Sequence, residues 1–418
     1  MISKYTVVVL AGFGLLAGFS RELVIAYYTG TSVQSDLFRV AYSLPSFFIN
    51  NLSPALISFY LFFLNKRPEL IKLSFGVMSI FGLIISGVLF IFASEVGITL
   101  APGFSDEHLS LLRDSVKILS GAVFLGFIIP FFRALLVYDN KPVLSSSFQA
   151  FIGFGFLLMA IVTSYINPSF LATDFSSFVI LPLIIYSFVV ILVSPKQNWV
   201  KSKLVINSAN INFVLIFVVN ILIFKVTNTI PRYFERGLLS YSDTGVISIY
   251  EYSLVLSGLL PIFLFAVFTN ISLPSILRIE GEAKQRQEVF RLAVRSLFFI
   301  LPITVILFSF REFFIDLTLG YGAFKEGDVE AVSEYFSISI LAAAATFIYM
   351  AITALFIAQN MKSQLLILSL CKAGLRMLMS YYLYIEFSLK GIIVSFVLCE
   401  ILMALLALYF YKKKAHDQ

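Results

Sequence analysis

Six basic side chains, Arg21, Arg39, Arg133, Lys225, Lys372 and Arg376, stand inside apolar runs long enough to cross a bilayer. An ionised group at the bilayer centre costs at least about 2.5–3.5 kcal/mol, so each must meet a buried acid or face a cavity holding an anion. Guanidinium forks match phosphate oxygens bidentately, which makes phosphate the natural anion. Arg21 lies sixteen residues into its run, about 24 Å along a helix rising about 1.5 Å per residue, too deep to reach back to its starting surface. Its neighbour Glu22 points about 100° away round the helix and can meet Asp36 or Arg39 of the next run. Arg21 and Arg39 therefore either hold a phosphate or pin the first hairpin with Glu22 and Asp36. Lys372 and Arg376 share a face as an i, i+4 pair. No acid lies near them in sequence, so they either pair with Glu251 or Glu400 or take an anion. Glu22, Asp36 and Glu251 are also candidates for ion coupling. Lys225, Arg232, Glu235 and Arg236 cluster late in the seventh run, where Pro231 is expected to break the helix. Lys225 and Arg232 are read as interior cations and Arg236 as solvated, while Arg133 is read as snorkelling to headgroups.

The elements that position these charges follow from composition. The chain has 418 residues, 59% hydrophobic and 13% charged, with mean hydropathy +0.95. That is more apolar surface than a soluble core could hide, which implies an all-α polytopic membrane protein. Twelve runs reach the length of about 20 residues that a span needs: roughly 5–28, 37–64, 73–94, 112–138, 145–167, 173–194, 208–230, 245–273, 291–317, 331–358, 363–385 and 390–411. The first is too long for a signal-peptide core and is read as a retained helix. With a cytoplasmic N-terminus, seventeen of the thirty Lys and Arg fall on the cytoplasmic side and seven opposite, so the positive-inside rule places both termini in the cytoplasm. The net charge of +6 then reflects topology and gives no reason to expect nucleic acid. Glu280 to Arg295 reads as an amphipathic interfacial connector between spans eight and nine. Pro45, Pro54, Pro130, Pro182, Pro261, Pro274 and Pro302 are expected to kink spans.

The halves repeat at an offset of about 220 residues. Asn51-Leu-Ser-Pro54 matches Asn270-Ile-Ser-Leu-Pro274, and Leu100-Ala-Pro-Gly103-Phe104 matches Leu319-Gly-Tyr-Gly322-Ala-Phe324. Asn140 with Lys141 and Asn360 with Lys362 follow at nearly the same distance. Six spans per half make a parallel repeat, two six-helix lobes (1–204 and 205–418) with a pseudo-twofold axis along the membrane normal.

Residues 21–48, RELVIAYYTGTSVQSDLFRVAYSLPSFF, resemble the N-terminal signature of the MurJ/MviN lipid II flippases: an Arg-acidic pair, an A-x-x-x-G turn, an Asp-aromatic pair and a Leu-Pro. Leu100–Phe104 is similar to their "APGF" segment and Gly320–Asp328 to their "GxGxFxxxD" loop. Asn228-Thr-Ile-Pro-Arg232-Tyr-Phe with Gly245-Val-Ile-Ser-Ile-Tyr250 looks more like the corresponding region of the Wzx polysaccharide-repeat flippases. Both families belong to the MOP superfamily, which also holds the MATE transporters. The pattern departs at Gly14-Leu15, Ile49-Asn50 and Val255, where the MurJ family carries a Ser-Arg pair, a double Arg and a further Arg, and two C-terminal spans found in many members are missing. Those losses favour a polyprenyl-linked glycan other than lipid II.

The resemblance implies a flippase that carries an undecaprenyl-diphosphate-linked oligosaccharide, a surface polysaccharide repeat unit or related envelope precursor, to the outer leaflet of the bacterial inner membrane by alternating access. Arg21, Arg39, Lys225, Arg232, Lys372 and Arg376 would line its cavity. The alternatives are a lipid II flippase of MurJ type, a MATE-like drug or cation antiporter, and a non-transporting membrane scaffold. No cofactor is expected, with bias from a Na+ or H+ gradient or the membrane potential. Partners would be the lipid-linked glycan, the bilayer and polysaccharide polymerase or chain-length proteins. His108 and His416 are the only histidines, and no phosphate loop or zinc motif occurs, so the chain reads as a transporter and not an enzyme. Cys371 and Cys399 read as packing residues.

Overall fold

In hydrocarbon every backbone N–H and C=O must be satisfied within the segment, which the described residues do with helices. The computed structural model describes residues 4–416 except 140, 166–170, 195–206, 277–278, 280 and 360. Asn140, Asn360 and the basic residues Lys196, Lys201, Lys203 and Arg278 lie outside the described residues or are not placed. Nine helices among the described residues are long and apolar enough to cross a membrane. They do not by themselves count twelve. Besides them stand α1 (Lys4–Thr29) and the shorter apolar Phe148–Ser164, and the longest of the nine covers Ser363–Lys412. That last stretch is 50 residues, about 75 Å at about 1.5 Å per residue, and it is broken at Ser388 (φ 50°). It is long enough for two crossings of a core about 30 Å thick.

Contacts gather the chain into two compact units, one of 13–25 with 33–229 and one of 1–12, 26–32 and 230–418. These follow packing and not the repeat, so they do not divide at 204/205.

In the first unit, α2 (Val33–Ser46) runs through a π-helical turn, Phe47–Leu52, into α3 (Ser53–Lys66). After it come α4 (Ile71–Ile91), α5 (Ala93–Leu100), α6 (Asp106–Tyr138), α7 (Pro142–Ser146), α8 (Phe148–Ser164) and α9 (Ala172–Val193). Helix α6 is the hub, with α2, α3, α4 and α9 packed on it. Its buried Phe127 sits against Gly82, where an added Cβ would come within 2.9 Å of it, and 5.2 Å from Phe48. Small residues thus let helices approach where lipid supplies no hydrophobic drive.

The second unit holds the end of α10 (Ser208–Leu239), from Ile230 on, then α11 (Val246–Val267), a second π-helical turn, Phe268–Ser272, α12 (Leu273–Ile276), α13 (Glu282–Ser309), α14 (Arg311–Leu319), α15 (Glu326–Ser339), α16 (Ala343–Ala358) and α17 (Lys362–His416). The turn Ala26–Ser32 is seated in this unit. The Ala323 amide donates to the Tyr27 carbonyl at 2.7 Å, and Thr31 donates to Asp328. Gly30, Gly245 and Gly322 all have positive φ there, and a Cβ at Gly245 or Gly322 would strike the Thr31 or Tyr27 carbonyl. Only glycine fits both the dihedral and the approach.

The repeat is written into the backbone as well as the sequence. The Asn51 and Asn270 motifs each follow from a π-helical turn. Phe92 (φ −99°, ψ 32°) and Phe310 (φ −109°, ψ 29°) break equivalent helices. Asp139 and Gln359 end equivalent helices with matching dihedrals, and the Lys141 and Met361 amides donate to Leu136 and Phe356 at 2.8 and 2.9 Å.

Three local expectations are corrected. Helix α10 continues through Pro231, because a neighbouring bundle can re-satisfy the one carbonyl that proline frees. The connector expected at Glu280 to Arg295 is instead the start of α13, with Arg286 buried. The third and ninth spans end at Phe92 and Phe310, two residues before and seven before the expected limits of 94 and 317.

Candidate functional site

The first cluster lies in the first unit, on α1 and α2. Arg21 donates from Nη2 to Glu22 Oε1 at 2.7 Å, and Arg39 Nη2 lies 3.0 Å from Glu22 Oε2. Arg39 Nε also donates to Ser35 at 3.3 Å, one turn back on its own helix. Both oxygens of Glu22 are therefore committed to arginines. The Arg21 guanidinium stands 4.6 Å from the Tyr42 ring centroid, a cation–π contact. Asp36 is buried in the same region. Beyond Tyr42, the wider π-helical turn presents Asn50, which donates to Ser46 at 3.0 Å and to Tyr42 at 3.4 Å and accepts from Gln149 at 3.0 Å. Arg133 donates to the Ser145 carbonyl at 3.1 Å and to Ser53 at 3.3 Å, with Phe148 4.5 Å beneath it. It ties helices together and does not snorkel as expected.

The second cluster lies in the second unit. Glu251 of α11 accepts from Arg236 at 2.7 Å and from Arg232, both on α10. Glu235 accepts from Arg376 Nε and Nη2, each at 2.7 Å, from Ser380 at 2.8 Å and from Tyr250. Ser380 lies 2.7 Å from Ser395, which extends the chain across the break in α17. Two turns of α10 thus present acids and bases to α11 and α17. One turn before Arg376, Lys372 Nζ meets Glu400 Oε1 at 2.6 Å and lies 4.2 Å from the Tyr349 ring. Lys225 sits half-buried in the middle of α10, in the part of that helix that belongs to the first unit.

Two readings change. Lys372 and Arg376 do find acids, Glu400 and Glu235, so neither demands an anion for neutrality. Arg236 is buried, not solvated, because α10 does not break at Pro231 and carries it, together with Glu235, into the bundle. Sequence reasoning missed Glu235, Tyr250, Ser380 and Ser395 as members of one network. The available signal was polar residues recurring in apolar runs, which mark interhelical bonding.

The pairs share an asymmetry. The side chains of Glu22, Glu251, Glu400 and Glu235 are 7, 4, 3 and 0% exposed, whereas those of Arg21, Arg232 and Lys372 are 19, 40 and 18% exposed. In these pairs the acid lies beneath and the cation above, whereas Arg39 and Glu22, 6 and 7% exposed, are covered alike. The accessible face of either cluster is therefore basic. Four cations, Arg232, Arg236, Lys372 and Arg376, stand over three acids in the second unit. Such a face attracts an anionic group and repels a cation. Among the described residues no group of three His, Cys, Asp or Glu could hold a metal.

Comparison with known proteins bears on what that anion is. The family model described as lipid II flippase MurJ matches residues 25–418. A protein described as a probable lipid II flippase MurJ from Aquifex aeolicus is 24% identical over 154 residues, 34% of this chain and 30% of the relative. This match thus spans less than a third of that relative's length. Among solved structures, a lipid II flippase MurJ in an inward closed conformation aligns with TM-score 0.81 at 18% identity, covering 97% of this chain and 87% of that one. An inward-facing multidrug resistance MATE transporter of the MOP superfamily aligns with TM-score 0.74 at 11% identity, covering 97 and 95%. A Vibrio cholerae MATE transporter aligns with TM-score 0.72 at 13% identity, covering 99 and 97%. At these identities the likeness speaks for the fold.

Proposed function

The chain belongs to the MurJ lipid II flippase family, and on that premise we propose that it carries an undecaprenyl-diphosphate-linked cell-envelope precursor of the lipid II type across the bacterial inner membrane by alternating access. The observation that carries this reading is the layering of each cluster, buried acid under accessible cation. Arg21, with its charge half balanced and its fork still partly open, is the residue best placed to bind a phosphate oxygen. A diphosphate diester carries two negative charges. Moving it outward under an inside-negative potential is downhill and releases about 4–5 kcal/mol per 100 mV, from about 2.3 kcal/mol per charge, so the membrane potential alone can bias the direction.

The drug-antiporter reading needs an accessible carboxylate for a cationic guest. Glu22, Glu235 and Glu251 are instead buried and capped by guanidinium groups, so they are poor coupling or drug-binding carboxylates. A polysaccharide repeat unit as cargo keeps one specific support. Asn50, at a position where the resemblance leads one to expect arginine, and its partner Gln149 place neutral amides next to Tyr42, on which Arg21 stacks, and amides suit sugar hydroxyls. The test is complementation in bacteria depleted of their own lipid II flippase. Growth restored by the wild-type chain and lost with Arg21→Ala at equal membrane abundance supports lipid II. Failure to restore growth, with rescue of a strain lacking its repeat-unit flippase, transfers the reading to the polysaccharide cargo.

A further inference from the structure

A neutral polar strip runs on from Arg21 within the first unit. The Arg21 guanidinium stacks on Tyr42, the Tyr42 hydroxyl accepts from Asn50 at 3.4 Å, and the Asn50 carbonyl accepts from Gln149 at 3.0 Å. Asn50 is held firmly, since its amide nitrogen also donates to Ser46 at 3.0 Å. Gln149, in the first turn of α8, is held at one atom only. One amide hydrogen goes to Asn50, while its carbonyl oxygen and second amide hydrogen meet no partner among the described residues. The residue is half-buried, so that open donor and acceptor face a space and not the packed core. Hydrocarbon would leave both groups unsatisfied, which makes lipid a costly neighbour and a hydrated space the stable one.

Helix α1 shows where that space runs. A Cβ at Gly14 would stand 3.4 Å from the Gln149 Cβ, whereas a Cβ at Gly18, one turn further on, would have nothing within 4 Å. Arg21 follows on the same face, seven residues after Gly14, about 10 Å along a helix rising about 1.5 Å per residue. An open turn therefore separates a guanidinium at one end from an unspent carboxamide at the other. The guanidinium suits a phosphate oxygen. The carboxamide offers an acceptor and a donor on neighbouring atoms of one plane and no charge, which suits two vicinal hydroxyls of a sugar. A diphosphate followed by one pyranose ring covers the distance between them. A bond that served only to tie α8 to the π-helical turn would need neither the open amide atoms nor the empty face at Gly18.

We infer that Gln149, oriented by Asn50, forms a sugar subsite that binds hydroxyls of the first ring after the diphosphate while Arg21 holds a phosphate oxygen. The inference rests on the proposed lipid-diphosphate cargo and adds to it the uncharged half of recognition. Selectivity follows. A lipid diphosphate that carries no ring keeps the Arg21 contact and forfeits those of Gln149, so the bare carrier lipid competes poorly with the loaded one.

The experiment is calorimetric titration of the purified full chain with two probes of equal charge: undecaprenyl-diphosphate-linked N-acetylglucosamine, and the methyl diester of undecaprenyl diphosphate, in which a methyl group replaces the ring. Wild type should bind the sugar probe about tenfold more tightly, the gain from two neutral hydrogen bonds. Arg21→Ala should weaken both probes by a similar factor and leave their ratio in place. Gln149→Met, close in volume but without the amide, should bring the ratio to about one. Gly18→Leu, which fills the open turn and leaves Gln149 in place, should also collapse it, and it decides the matter if Gln149→Met folds poorly. Equal wild-type affinity for the two probes, or a ratio that survives either substitution in the folded protein, overturns the sugar subsite alone. Failure of wild type to bind either probe overturns the cargo reading on which the subsite depends.

Discussion

Removing the charge of Glu235 should destabilise the second unit far more than removing it together with its partner. Glu235 is wholly buried and accepts two bonds of 2.7 Å from Arg376, one of 2.8 Å from Ser380 and one from Tyr250. Glu235→Leu leaves the Arg376 guanidinium, itself largely buried, with no counter-charge. Arg376→Met leaves the carboxylate with two hydroxyls. Breaking a buried pair from one side costs about 3–5 kcal/mol. Independent losses would then sum to about 6–10 kcal/mol, but the double variant has no buried charge left. Its cost reduces to the Tyr250 hydroxyl without its acceptor, about 1–3 kcal/mol, since Ser380 keeps Ser395 at 2.7 Å. A coupling of at least about 3 kcal/mol follows, the top of the range measured for contacting residues. The assay is a double-mutant cycle on equilibrium unfolding in mixed micelles, followed by far-UV circular dichroism. Single variants within about 1 kcal/mol of wild type, or losses that simply add, would refute the reasoning and return Arg376 to the pool of free cations.

Gly322→Ala should weaken the seat of the Ala26–Ser32 turn. Its φ of 70° and the nearby Tyr27 carbonyl make a loss of at least about 1–2 kcal/mol the minimum from the dihedral alone, read as faster amide exchange at Ala323. Arg21→Lys keeps the charge but loses the planar fork over Tyr42. Cargo affinity should fall about tenfold or more, with unfolding stability within about 1 kcal/mol of wild type, as calorimetry and melting together report. Gly153→Val should lower the folded yield in membranes, because even a Cβ at this position would strike the Ala17 carbonyl of α1. A melt unchanged from wild type would show that the two helices do not pack that closely.

The helical, polytopic fold was readable because hydropathy and length act locally: runs of apolar residues correspond to helices all along the described chain. The duplication was readable for the same reason, since Asn51-Leu-Ser-Pro54 and its counterpart at Asn270 mark turns whose geometry depends on neighbours in sequence. Charge pairing was less readable. Arg39 with Glu22 could be foreseen because the two share one hairpin. Lys372 with Glu400 was named only as an option, and Arg376 with Glu235 not at all, because the partners stand on helices brought together by tertiary packing. The expected break at Pro231 compounded this by turning Arg236 outward, whereas the continuous α10 carries it inward together with Glu235. Arg133 was misread for a like reason: its partners, Ser53 and the Ser145 carbonyl, have no charge to announce them.

The central claim is that basic faces laid over buried acids carry an anionic lipid headgroup across the bilayer. It is tested most directly by reconstituting the chain in vesicles with fluorescent lipid II and following headgroup accessibility to a membrane-impermeant quencher under an imposed inside-negative potential. Protein-dependent exposure of the headgroup, accelerated by the potential and lowered about tenfold or more by Arg21→Ala, is the predicted result. Headgroups that remain as sequestered as in protein-free vesicles, at every potential, would contradict it.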